Sequence, residues 1–137
     1  MDDRIGYMLK RVQAALRARI DEVLGPQGVT GPQYAVLSAL EREPGLSNAE
    51  LARRAFVTPQ TMVKIVEHLE GSGLLVRHAH PSHGRLLPAS LTRRGERLVA
   101  AGHAGVAEVE GQMLAGLAEE ERRQLLDLLL RCAVSLG

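Results

Sequence analysis

The sequence predicts a mainly α-helical fold with one small β-hairpin, and three observations support this prediction. Apolar residues recur at steps of three and four along most of the chain, the period of a helix that packs on one side. The period changes at residues 74–91, where two short apolar runs flank a turn at residues 81–84. The chain has 137 residues and 45% hydrophobic content, enough for a single domain, residues 1–137, with a real core.

Composition excludes several classes of protein. No apolar run approaches the roughly 20 residues of a membrane span, so no membrane partner is expected. Residues 1–4 lack the basic and then apolar layout of a signal peptide, and the single cysteine, Cys132, allows no internal disulfide. A reducing cytoplasm is therefore expected. Aromatic residues make up only 2% of the chain, which argues against a surface that stacks single-stranded bases.

The net charge of +1 conceals an uneven distribution of charge. Residues 1–41 are neutral, residues 42–97 carry a net charge of +4, and residues 98–137 carry −3. A basic central segment suits a polyanion such as DNA, although an ordinary solvated surface could show the same excess.

Two helices are predicted in the first third of the chain. The first covers residues 4–24 and ends at Gly25 and Pro26. Thr30 is the predicted N-cap of the second, with Pro32 in its first turn. Residues 43–45 end this helix.

Two further helices follow closely on each other. Ser47 and Glu50 have the spacing of a capping box, in which the Glu50 carboxylate reaches back to the Ser47 amide. Thr58 and Pro59 signal the start of the next helix. Residues 71–73 end it. Its core-facing residues have the spacing i, i+3, i+4, i+7: Met62, Ile65, Val66 and Leu69.

The rest of the chain predicts two strands and two long helices. The strands cover residues 74–77 and 85–91, and Pro88 requires that the second be an edge strand or be broken there. Thr92 caps a helix at residues 93–116. The last helix, residues 119–136, is apolar almost all round.

Two capped helices followed by a hairpin form the pattern of a winged helix-turn-helix, here residues 30–91. In that arrangement the second helix enters the DNA major groove. Glutamine suits adenine, lysine suits guanine, and valine methyls can meet the thymine methyl, while caps and arginines contact phosphates. The candidate DNA-binding residues are Ser47, Arg54, Thr58, Gln60, Thr61, Val63, Lys64, His68, Arg77 and Arg85.

The sequence resembles the MarR family of bacterial regulators over nearly its whole length. The resemblance is strongest at residues 29–37, 46–52, 61–69, 73–75 and 91–95. It implies a dimer formed by residues 4–24 and 93–136 that binds palindromic operators, usually to repress transcription. It also implies release by a small effector, aromatic or anionic, between the dimerisation helices and the winged part. Candidate pocket residues are Tyr7, Arg11, Tyr34 and His103, since arginine beside tyrosine would suit an aromatic carboxylate.

Two positions depart from the family pattern. Wings of the family usually carry Asp-x-Arg at the tip, and here Arg85 matches the arginine while His83 replaces the aspartate. An aspartate could orient the arginine by ion pairing, whereas His83 could act only as a neutral acceptor. Pro88 in the returning strand is also unusual.

Two alternatives remain open on sequence grounds. One is a protein–protein adaptor on the same fold that does not bind DNA. The low net charge and the missing wing aspartate favour it slightly, whereas Lys64, Arg85 and the basic central segment oppose it. The other is a metal-responsive regulator that uses His78, His80 and His83, although no acid or cysteine in that stretch completes a site. Cys132 is expected to be a packing residue rather than a redox sensor. The sequence contains no enzyme motif and predicts no cofactor.

Overall fold

The computed structural model describes residues 4–78 and 88–137, and its elements follow the predicted order. Six α-helices, one short 3₁₀ turn and two strands occur in these residues. Their bounds are α1 Ile5–Leu24, the 3₁₀ turn Gly25–Gln27, α2 Gly31–Arg42, α3 Asn48–Ala55, α4 Pro59–Gly71, β1 Leu75–Arg77, β2 Ala89–Leu91, α5 Arg93–Met113 and α6 Glu119–Leu136. The predicted mainly helical fold with a small β-hairpin is confirmed.

The helix starts confirm all four predicted caps, including Thr92, which accepts from the Gly95 amide, and correct one detail. Thr30, Ser47 and Thr58 each accept a hydrogen bond from the backbone N–H three residues later. The reciprocal half of the capping box occurs at α2, where the Gln33 side chain accepts from the Thr30 amide. At α3 the predicted bond from the Ser47 amide to the Glu50 carboxylate is wrong, because this carboxylate accepts instead from the Ser47 hydroxyl, at 3.0 Å.

The two strands pair antiparallel, with Val76 opposite Ser90 at the centre. In the described residues the second strand begins directly after Pro88 and is an edge strand of a two-stranded sheet, one of the two arrangements that the sequence allows. The Pro88 carbonyl still accepts a hydrogen bond from the His78 amide at 2.8 Å. Residues 85–87 of the predicted strand lie outside the described residues.

Helix α5 ends at Met113, three residues before the predicted end. The Ala115 amide bonds to the carbonyl of Gln112, and the Leu117 amide bonds to that of Leu114, in tighter three-residue turns. These turns precede α6, which begins and ends where the sequence predicts.

The core lies between α2, α3, α4 and the strands. The predicted inner face of α4 is confirmed, since Met62, Val66 and Leu69 have no exposed surface and Ile65 packs against them. Other completely or almost completely buried side chains come from each neighbouring element: Leu24, Val36, Leu37, Leu40, Leu51, Leu75 and Val99. This aliphatic core fixes the orientation of α4.

The start of α5 is joined to the segment between α4 and β1. The Thr92 hydroxyl donates to the Gly73 carbonyl at 2.7 Å, and the Arg94 guanidinium donates to the Ser72 carbonyl at 2.9 Å. Gly95 then passes so close to Leu74 that a Cβ there would lie 2.0 Å from the Leu74 carbonyl oxygen. Only glycine permits this approach of the two backbones.

The terminal helices leave much apolar surface exposed. Helix α1 packs on α5, but α6 has no buried residue. The side chains of Leu126, Leu130 and Val134 are 62%, 56% and 80% exposed. In the described part of the chain, no helix combines the length and apolar character of a membrane span.

Replacing Gly95 by alanine is expected to lower the free energy of unfolding by about 2–3 kcal/mol, because α5 must move away from Leu74. Chemical denaturation measures the change. Gly71→Ala is the matched control: Gly71 has open space around its Cβ position, so the change is expected to stay within about 0.5 kcal/mol. An equal free energy of unfolding for the Gly95→Ala and wild-type proteins would contradict the close approach of Gly95 to the Leu74 carbonyl.

Candidate nucleic-acid interface and adjoining cleft

The outer face of α4 is polar, and no part of the described chain covers it. Gln60, Thr61, Val63, Lys64 and His68 are all exposed on this helix, as the sequence predicts. Lys64 makes no ion pair with a described residue, so its charge is free for an external anion. The buried side chains of α4 face away from this surface, which leaves a rigid polar helix face for a partner.

The hydroxyl groups at the start of α4 are used unequally. Thr58 accepts from the Thr61 amide at 3.1 Å and donates to the Thr61 hydroxyl at 2.9 Å. Thr61 therefore keeps its own O–H proton to donate outward. Because Pro59 has no N–H, Gln60 is the first residue of α4 whose backbone N–H can bind an anion at the helix N-terminus.

The candidates on α3 are more committed to internal bonds than the sequence indicates. The Ser47 hydroxyl accepts from the Glu50 amide and donates to the Glu50 carboxylate. Arg54 donates to Glu43 on the segment after α2 at 3.1 Å. Ser47 and Arg54 would each have to give up a bond before binding a phosphate.

The candidates near the strands are placed less completely. Arg77 ends β1, and its half-buried guanidinium lies 3.9 Å from the Glu70 carboxylate. His78 bonds to the Ser90 hydroxyl at 2.6 Å. Arg85, His80 and His83 lie outside the described residues. Elsewhere in the described chain, no group of three His, Cys, Asp or Glu side chains could hold a metal ion.

An open cleft of about 410 Å³ separates α1 from α2 and α3, with one residue of α5 at its edge. Its volume falls within the range of small-molecule sites. Tyr34, Phe56 and Val57 contribute to the wall, together with the two cations Arg17 and Arg54. Asp21 is the acid in the lining. A small molecule with an apolar body and one negative charge fits these groups.

Tyr34 connects this cleft to α5. Its ring packs on Gly102, where a Cβ would lie 2.6 Å from the ring. Its hydroxyl bonds to Nδ1 of His103, whose Nε2 lies 2.8 Å from the Glu41 carboxylate. Burial raises the pKa of the Tyr34 hydroxyl, and the Glu41 charge raises it further. Tyr34 therefore stays protonated at neutral pH and can act as a donor.

The structure brings together only part of the predicted effector pocket. Tyr34 and His103 are in contact, as the prediction of a shared site requires. Tyr7 and Arg11 lie on the exposed first half of α1 and do not line the cleft. Sequence analysis missed Arg17 and Phe56. No local pattern distinguishes Arg17 from Arg11 and Arg19, the other exposed arginines of α1.

These features define the class of the protein. Helix α3 braces α4, the polar face of α4 is exposed, and an antiparallel pair of strands follows. This is the winged helix-turn-helix, a DNA-binding fold.

Comparison with known proteins gives the family. The sequence profile of the MarR family matches residues 27–86. The chain is 42% identical over 128 residues to the HTH-type transcriptional repressor Rv2887 of Mycobacterium tuberculosis. This match covers 93% of the present chain and 92% of the relative. The crystal structure of Rv2887 in complex with DNA superposes with a TM-score of 0.80, at 38% identity over 96% of this chain and 98% of the other. The crystal structure of Rv2887 in complex with salicylic acid also superposes with a TM-score of 0.80. The two sequences are 41% identical, and the match covers 96% of this chain and 97% of the other.

The chain therefore belongs to the MarR family. It is a DNA-binding transcriptional regulator, as the sequence predicts.

Proposed function

We propose that the chain is a cytoplasmic, homodimeric repressor that binds a palindromic operator and is released by a small aromatic carboxylate. Residues 30–91 contact DNA, and residues 4–24 and 93–136 form the dimer. Each α4 enters one major groove, with half-sites about one helical turn (roughly 34–36 Å) apart. The proposal assigns no catalytic step and no cofactor to the chain.

The exposed face of α4 is the observation that carries the DNA-binding part of this proposal. Thr61 has a free hydroxyl proton, Lys64 has a free charge, and Gln60 has a free backbone N–H at the helix start. These donors suit base edges and phosphates of the major groove.

Lys64→Ala is expected to raise the Kd for the operator at least about fivefold, because a base or phosphate loses a charged donor. Fluorescence anisotropy with an operator selected from a random duplex library measures the change. Lys10→Ala is the matched control, since Lys10 is the other lysine of the chain and lies exposed on α1.

Unchanged affinity of the Lys64→Ala protein would remove this residue from the interface. Operator binding that does not weaken as salt rises would favour the adaptor hypothesis instead, since phosphate contacts release counterions.

The exposed apolar side chains of α6 support a dimer. Leu126, Leu130 and Val134 recur at steps of four, so they lie along one side of the helix. A continuous apolar face of this length is normally covered by another protein surface. A second copy of the chain is the partner that two-fold operators require.

Leu130→Glu is expected to convert the protein from twice the 14.8 kDa chain mass to a monomer, because it places a charge in the apolar interface. Sedimentation equilibrium measures the mass. Gln124→Glu on the same helix, a polar exposed position, should remain dimeric. A wild-type protein that sediments as a monomer would refute the dimer.

The cleft supports the effector part of the proposal. Arg17 makes no ion pair with a described residue, whereas the charge of Arg54 is balanced by Glu43. A carboxylate would therefore pair with Arg17, while the Tyr34 ring, whose hydroxyl bonds to His103, forms part of the wall beside it. Rv2887, which is similar over most of its length, has been crystallised with salicylic acid.

Arg17→Gln is expected to weaken salicylate binding about tenfold or more, because it removes a charged hydrogen-bond donor. Isothermal titration calorimetry measures the affinity. Arg11→Gln is the matched control, with the same change on the same helix but outside the cleft. Loss of binding in Arg11→Gln with none in Arg17→Gln would place the effector elsewhere.

A further inference from the structure

Phe56 has a backbone conformation that the fold does not explain by packing. Its φ and ψ angles are 57° and 42°, and it is the one non-glycine residue with positive φ in the described chain. Its side chain is 93% exposed, although it is the only phenylalanine in the sequence. A large apolar ring is therefore held in a disfavoured conformation without a place in the core.

The helix end itself does not require a side chain at this position. Phe56 ends α3 in the left-handed conformation, and its N–H bonds to the carbonyls of Ala52 and Arg53. Glycine makes the same bonds at helix ends and adopts positive φ without a clash of its own Cβ. Strained residues of this kind cluster at functional sites.

Phe56 lies between two functional surfaces. It lines the cleft together with Arg17 and Tyr34. It also stands two residues before Thr58, whose hydroxyl caps α4. The turn that carries the ring is thus the segment that sets the start of the DNA-binding helix.

We propose that Phe56 is the ligand-contacting residue that links occupation of the cleft to the position of α4. The ring covers one face of an aromatic carboxylate whose charge is paired with Arg17, and the turn at residues 56–58 shifts as the ring closes on it. This inference rests on the proposed effector site.

This coupling between the cleft and α4 requires that the ligand have a different affinity for the free protein than for the DNA-bound protein. If the ring can close on the ligand only when the turn has moved, the ligand lowers the affinity for DNA, and DNA lowers the affinity for the ligand by the same factor. Removing the ring should reduce this factor towards one and should also reduce the preference for flat ligands.

The test compares Phe56→Leu with Phe56→Tyr, since leucine keeps an apolar side chain and tyrosine keeps the ring. The probes are salicylate and its ring-saturated analogue, 2-hydroxycyclohexanecarboxylate. Phe56→Leu is expected to lower the preference for salicylate about threefold to tenfold, whereas Phe56→Tyr should retain it. The ratio of operator Kd values with and without salicylate should fall towards one in Phe56→Leu only.

A separate variant checks the strain. Phe56→Gly should fold at least as stably as the wild type and bind the operator equally well without salicylate, yet should no longer be released by it. Loss of operator affinity without salicylate, or a change of dimer mass, in either Phe56→Leu or Phe56→Gly would show that the ring serves DNA or the dimer, and would overturn the inference.

Two failures are distinguishable. If Arg17→Gln loses salicylate while Phe56→Leu keeps both its affinity and its release from DNA, the inference about Phe56 is wrong and the effector site stands. If neither Arg17→Gln nor Phe56→Leu changes salicylate binding, the proposed effector site itself is wrong, and the inference fails with it.

Discussion

The close approach of α5 to the backbone of Leu74 is the constraint on which the functional surfaces depend. Gly95 lets the two backbones meet, and the hydrogen bonds of Thr92 and Arg94 hold the segment between α4 and β1 against the start of α5. Helix α5 also packs on α1, whose side chains form one wall of the cleft. The direction of α4 and the shape of the cleft are therefore set by a single framework.

Within this framework, the polar groups divide into those that stabilise helices and those that remain available. The hydroxyls of Ser47 and Thr58 are used twice, as acceptors at a helix start and as donors to a neighbouring side chain. Thr61 lies in the first turn of α4 and Lys64 in the second, and both have donor protons that no described residue uses. In the proposed DNA complex, the contacts therefore come from side-chain donors that the described chain does not use internally.

The sequence predicted the features that depend on local residue patterns, such as the buried face of α4. It missed the residues whose position depends on how distant elements pack together. The spacing of Met62, Val66 and Leu69 was enough to predict which side of α4 is buried, because the apolar side of an amphipathic helix packs against the core. Arg17 gave no such signal, since its place in the cleft depends on how α1 crosses α2. Phe56 could not be found either, because positive φ at a phenylalanine is a property of the closed turn and not of the residue type.

The charges around the cleft argue for a monoanion rather than a dianion. Arg17, Arg54 and Asp21 are the charged groups of the lining, and because Glu43 balances Arg54, Arg17 is the cation there that makes no ion pair with a described residue. Tyr34 adds no charge, because burial keeps its pKa above the ordinary value and the hydroxyl protonated. Since Glu43 already balances Arg54, a second negative charge on a ligand would have to displace that pair or remain without a partner in a partly apolar site. If the proposed effector site is correct, the cleft selects for charge as well as for shape, with one carboxylate at Arg17 and an uncharged body against the wall that contains Tyr34 and Phe56.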